Sequence, residues 1–213
     1  MVADQIARRG ISDPRLLDVL RSVPRHEFVT ADQQHLAYID APLPIGKRQT
    51  ISQPYIVALM TQLLDLRGDE TVLEIGTGSG YQAAILSRLA KSVYTVERIE
   101  SLADEARLRL ERLGYGNVIV IGRDGTGGLP EYAPYDGILV TAAAPRLPPP
   151  LESQLADGGR LVLPVGGRTG QVLELWKLKG ERLESERVTP VAFVPLIGEH
   201  GWPENDGNAM PWN

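Results

Sequence analysis

In the stretch "VLEIGTGSG", from Val72 to Gly80, an apolar run ends in three glycines, Gly76, Gly78 and Gly80, placed at every second position. A strand that spills into such a turn and then into a helix leaves no Cβ between its backbone N–H groups and a ligand, which suits a nucleotide or nucleoside. A dinucleotide fingerprint needs its third glycine at position 81, where Tyr81 stands, so the G-x-G-x-G spacing weakens a nicotinamide reading. Glu97 closes the next apolar run about 20 residues on, where a carboxylate accepts hydrogen bonds from two ribose hydroxyls. Asp124, in "IGRDGTGG", ends a third run on the same expected edge; taken alone, an Asp-Gly pair reads equally well as a turn. Glycine turns also serve packing, and a lone acid at a strand end is usually only solvated. The turn and Glu97 at this spacing together point to a ribose-bearing ligand.

The elements that must position these residues follow from periodicity. Between Ser12 and Val29, Leu16, Leu17 and Leu20 share one helical face, opened by a Ser/Asp cap and Pro14. Pro42, Pro44 and Gly46 make "YIDAPLPIGKRQTIS" a loop or short extended connection, and Gln53 to Leu66 returns to helix spacing. From residue 71, short β-branched runs alternate with helical stretches: "TVLEI", a helix from Tyr81 to Leu89, "SVYTVE", a helix from Glu100 to Leu113, "NVIVI" and "YDGILVT". That alternation predicts parallel crossovers, hence an α/β fold with a doubly wound, mostly parallel sheet preceded by N-terminal helices. On the second crossover helix Glu105 and Arg109 are spaced to pair on the wet face. After Leu155 strands meet turns with no room for a helix, so the sheet is expected to end in an antiparallel hairpin. The expected organisation is one domain over residues 1–202, its helical cap at 1–66, with a tail at 203–213.

Composition removes several chemistries. With no cysteine there is no disulfide, thiolate nucleophile or thiolate-held zinc, and His26, His35 and His200 are too scattered for an H-E-x-x-H site. No metal is expected. Net charge is -5 and the arginines are interleaved with acids, which disfavours nucleic acid as a partner. No segment approaches the roughly 20 apolar residues of a membrane span, and the N-terminus has no signal-peptide pattern, so the expectation is a cytoplasmic protein without a membrane partner.

With these residues in place, the chain resembles the S-adenosylmethionine-dependent methyltransferases, and within them the protein-L-isoaspartate O-methyltransferases of prokaryotic type. Four blocks carry the likeness in order: "YIDAPLPIGKRQTISQPYIVALMTQLL", "VLEIGTGSGYQAAILSRLA", "APYDGILVTAAAPRLPPPLESQLADGGRLVLPVG" and "FVPLIGEHGW". The resemblance implies a Rossmann-like methyltransferase fold and S-adenosylmethionine as cofactor, held at Gly76, Thr77, Gly78 and Ser79. It implies ribose binding by Glu97 and adenine contact at Asp124 and Gly125. It also implies Ser52 as the active-site serine, and contact with isoaspartyl-containing proteins and peptides along the main chain around Val194 and Leu196. Arg123 departs from the pattern, standing where the family commonly has glycine before the Asp-Gly pair.

Such a reaction needs few catalytic groups. A carboxyl with a reference pKa of about 4 is ionised at neutral pH, so the acceptor requires no general base, and positioning is what remains. Ser52 suits a hydrogen-bond donor that aims one carboxylate oxygen, although a serine before "QPY" also suits a helix cap. Gln49 and Thr50 share that ambiguity, "TAAAP" offers small side chains near a passing peptide, and Tyr55 reads either as cleft lining or as core. Binding of the peptide by strand addition against "FVPL" would leave side-chain preference loose. A methyltransferase for small molecules or RNA, and a reader of altered peptides without turnover, stay open as alternatives. In the tail, Asp206-Gly207 is an unhindered pair of the kind that isomerises, which would make the protein its own substrate.

Overall fold

The computed structural model describes residues 1–167 and 169–204; the tail pair Asp206-Gly207 lies outside them. Helix α1, Pro14–Ser22, starts where the Asp13 carboxylate accepts from the Arg15 amide at 2.9 Å. Leu16 and Leu20 are buried and Leu17 half-buried. The apolar spacing continues to Val29, but Pro24 cannot donate to a helix, so the chain tightens into a short turn at Arg25–Phe28. The proline-rich stretch that follows contains a hairpin. Its strands β1, Leu43–Gly46, and β2, Gln49–Ile51, are joined by Lys47 and Arg48, both with positive φ (50° and 59°). Two left-handed residues match the twist of a two-residue hairpin, yet Lys-Arg carries none of the Asn-Gly signal that would announce it. Helix α2, Pro54–Leu64, then buries Val57, Ala58, Met60 and Leu64.

The crossovers appear as the alternation predicts. Strand β3 (Thr71–Ile75) leads to α3 (Tyr81–Ser87), β4 (Ser92–Glu97) to α4 (Glu100–Arg112), and β5 (Val118–Gly122) completes that half. The chain returns to β6 (Tyr135–Val140), passes the short α5 (Pro149–Glu152), and ends in β7 (Leu155–Gly167), β8 (Gly170–Lys179) and β9 (Arg182–Val191). The seven strands lie in the order β5-β4-β3-β6-β7-β8-β9, parallel as far as β7 and antiparallel beyond it. Leu73 of β3 stands opposite Tyr94 of β4 and Ile138 of β6. Val72, Val93, Ile85 and Leu110 belong to the apolar layer under the helices, and Leu73, Ile75, Ile138 and Leu161 to the layer on the other face.

Because the winding runs outward from β3 to β5 and then jumps back across β3 to β6, the loops after β3 and β6 part company at their carboxyl ends. Open α/β sheets bind ligands in the crevice so formed. Helix α4 buries Leu102, Ala106 and Leu110 as its stripe requires. The expected Glu105–Arg109 pairing gives way to a different bond: Arg109 Nη1 donates to the Ser79 carbonyl at 2.9 Å, anchoring the glycine turn to this helix.

Candidate active site

A cavity of about 620 Å³ opens at that switch point. Gly76, Thr77, Gly78 and Ser79 line it from the end of β3, Glu97 from the end of β4, Thr141 from the end of β6, and Gly125 from the loop after β5. Gln49, Thr50 and Ser52 face them from the hairpin and the start of α2, and Val194 and Leu196 from the closing segment. Asp124 and Tyr55 are not among the lining residues.

The turn is built so that only glycine fits at its first corner. Gly76 has φ +97°, and a Cβ there would lie 2.2 Å from Thr141 Oγ1. That same hydroxyl donates to the Gly76 carbonyl at 2.6 Å, while the Gly76 amide donates to Val96 O at 2.8 Å. Glu97 is buried, and its two oxygens accept from the Gly78 and Ile99 amides, each at 2.9 Å. A carboxylate has about four lone-pair positions, so two remain for hydroxyl groups presented from the cavity.

Under the turn lies a group that sequence reasoning gave no role. Glu74, in the middle of β3, is fully buried; Thr95 Oγ1 donates to its Oε2 at 2.5 Å and shares a hydrogen bond of 2.6 Å with Thr77 Oγ1. Burial pushes the Glu74 carboxyl up to about 8, with the nearby Glu97 charge adding to the rise and the Thr95 bond opposing it. A neutral acid therefore braces the turn from beneath. The signal was an acid at the fourth position of the otherwise apolar strand "TVLEI".

On the opposite wall Ser52 is half-buried between β2 and α2. The residue at the N-cap of α2 is Gln53, whose side chain makes no capping bond, and among the described residues the Ser52 hydroxyl does not cap this helix either. Asp40 fixes the helix start instead, accepting from Gln53 Nε2 at 2.7 Å and from the Tyr55 amide at 3.2 Å. The Tyr55 ring carries the Arg9 guanidinium 3.4 Å from its centroid.

Two other expected contacts are engaged within the protein. The Asp124 carboxylate accepts from the Thr126 amide (2.8 Å) and the Glu199 amide (2.9 Å), pinning the closing segment to the loop after β5. Val194 O and Leu196 N are both taken by Ala143, at 2.8 Å each, and the Gln171 side chain pairs with both main-chain groups of Phe193. Strand addition at Val194 and Leu196 thus meets an edge whose hydrogen bonds at those two atoms are already made. Arg123 turns away into its own loop, donating to Gly128 O and Glu131.

Solved structures sharing this arrangement give its class. One described as a protein-L-isoaspartate O-methyltransferase superposes with a TM-score of 0.86 at 31% identity, covering 94% of this chain and 67% of that one. Another, from Plasmodium falciparum and in complex with S-adenosyl-L-homocysteine, gives a TM-score of 0.80 at 25% identity over 92% of this chain and 96% of that one. The fold is that of the Rossmann-like, S-adenosylmethionine-dependent methyltransferases. The family model described as Protein-L-isoaspartate(D-aspartate) O-methyltransferase matches residues 1–201. Curated relatives of that name are 58% identical over 202 residues in Methanoregula boonei, covering 95% of this chain and 93% of the relative, and 57% identical over 203 residues in Geobacter metallireducens, covering 95% and 94%. The chain belongs to the protein-L-isoaspartate O-methyltransferase family.

Proposed function

We propose that this protein transfers the methyl group of S-adenosylmethionine to the free carboxylate of L-isoaspartyl residues in damaged proteins and peptides, the step that starts their repair. What supports the reading is the meeting, in one cavity, of a nucleoside-type cradle (the glycine turn with Glu97) and Ser52, whose hydroxyl caps no helix among the described residues. The cradle fits the cofactor. Its volume, about 620 Å³, falls within the roughly 300–1,000 Å³ of small-molecule sites, the Glu97 oxygens have capacity for ribose hydroxyls, and Gly76 admits no side chain.

When bound, S-adenosylmethionine supplies a methyl group already activated on a sulfonium. The chain's own residues hold and aim. Glu97 and the turn would fix the nucleoside, Gly125, packed against Ile75 and Val96, would bound it, and Ser52 would donate to one oxygen of the acceptor carboxylate so that the other faces the methyl. Bound there, the cofactor would supply the methyl electrophile and keep the electron pair of its S–C bond, and the acceptor carboxylate would supply the nucleophile. No proton moves, so no side chain has to act as a base.

The peptide lies along the closing segment near Val194 and Leu196, using main-chain groups other than the two held by Ala143 and the Leu196 carbonyl, which accepts from the Trp202 amide at 2.7 Å. The same proposal puts the protein in the cytoplasm, which cell fractionation reads directly. The mechanism has a pH signature: kcat/KM for an isoaspartyl peptide stays flat between about pH 5.5 and 7, above the carboxyl pKa of about 4. A rise of tenfold per pH unit across that window would reveal a titrating base and overturn it.

A further inference from the structure

Arg25 is fully buried, an unusual place for a guanidinium, and it lies in the N-terminal segment that the mechanism above does not use. Its Nε donates to Ala37 O at 2.8 Å and its Nη2 to Ser52 O at 2.7 Å. Its Cζ sits 4.8 Å from the centroid of the Tyr81 ring, and Tyr81 is the first residue of α3, directly after the glycine turn. Among the described residues no carboxylate comes within 4.0 Å of it to form an ion pair, and its buried Nη1 and the Tyr81 hydroxyl find no partner outside this Arg25–Tyr81 pair. Such a group costs stability. A buried charge without a carboxylate partner loses several kcal/mol of hydration, and an apolar chain of similar length would fill the space more cheaply.

The contacts say what the cost achieves. One planar fork grips the carbonyl of Ser52 and a carbonyl of the N-terminal cap while resting on the helix that follows the cofactor turn. It is the piece through which acceptor wall, cap and donor wall share one geometry. We infer that Arg25 is a positioning residue for methyl transfer, holding Ser52 at the reacting carboxylate through its main-chain carbonyl and the Tyr81 ring. This rests on the role of Ser52 proposed above. Arg25 is fully buried and does not line the cavity, so it touches neither peptide nor cofactor and reaches the site through Ser52 on one wall and Tyr81 on the other. A lysine keeps the charge but loses the fork, reaching one carbonyl instead of two and losing the guanidinium contact with the Tyr81 ring.

A double-mutant cycle separates this from a merely structural role. Arg25→Lys, Ser52→Ala and the pair are compared for thermal midpoint, affinity for S-adenosylhomocysteine by calorimetry, and kcat on an isoaspartyl peptide; Arg25→Met replaces the lysine variant if that one fails to fold. For Arg25→Lys we expect affinity within about twofold of wild type and kcat down about tenfold, because misplacing a donor by a fraction of an ångström erodes alignment. In the Ser52→Ala background the same change should lower kcat less than about twofold, since the group it positions is gone. Losses that multiply, or cofactor affinity falling as far as kcat, would end the inference while leaving Ser52 in its role. Wild-type kcat in Ser52→Ala alone would end both.

Discussion

Ser52 lines the cleft with its carbonyl held by Arg25, and among the described residues its hydroxyl does not cap the helix that follows. Ser52→Ala should lower kcat by about tenfold or more with little change in affinity for S-adenosylhomocysteine, a loss typical of a charge-assisted bond made to the reacting group; equal losses in both would move the hydroxyl to the cofactor side. For Glu97→Ala, calorimetry should find cofactor affinity down by at least about tenfold in a folded protein, and unchanged affinity would remove Glu97 from the ribose. Glu74 predicts a pH effect. Its folded pKa of about 8 stands above its ordinary 4.5, so the stability it contributes is full below about 4.5 and is lost as pH rises through about 8. Relative to wild type, Glu74→Gln should therefore gain in thermal midpoint between pH 5 and 9, and a constant difference across that range would show that Glu74 is not held neutral. Gly76 and Glu97 could be placed together because their spacing is local, whereas Ser52 was pointed to only by the resemblance, and all three line the cavity. Arg25 was not legible: nothing in "PRHEF" distinguishes a buried guanidinium from a surface one, since burial comes from Ala37, Ser52 and Tyr81, which are distant in sequence.

Among the elements, the crossover strands were readable because apolar runs and helical stripes repeat on a fixed period. Three features were not. Pro24 cut a helix whose apolar spacing continued, Lys47 and Arg48 adopt left-handed backbone without a residue that favours it, and Arg109 preferred the Ser79 carbonyl to Glu105. Each was decided by backbone chemistry or a tertiary partner that side-chain pattern does not encode. The turn after β3 tolerates no Cβ at its first corner, so Gly76→Ala should cost about 1–3 kcal/mol of stability and weaken cofactor binding, measured by thermal melts with and without S-adenosylhomocysteine. The closing segment depends on Asp124, whose two oxygens hold the Thr126 and Glu199 amides. Asp124→Asn turns one acceptor into a donor facing an amide, so KM for the peptide should rise several-fold, more than cofactor affinity falls. The reverse pattern would assign the carboxylate to adenine.

At the scale of the whole molecule, the winding of the sheet explains why distant segments meet. The switch between β3 and β6 opens a crevice, and the N-terminal cap and the closing segment wall it in. A donor built on a nucleoside and an acceptor already charged need nothing more than this enclosure and one hydroxyl. Discrimination then falls to the backbone path of the acceptor, because an isoaspartyl linkage inserts an extra methylene into the main chain. The most direct measurement offers isotopically methyl-labelled S-adenosylmethionine with two peptides identical except for an aspartyl or an isoaspartyl residue. The account predicts base-labile methyl ester on the isoaspartyl peptide and none above background on its aspartyl twin. Equal labelling of the two, or no labelling of either under conditions where the cofactor binds, would contradict it.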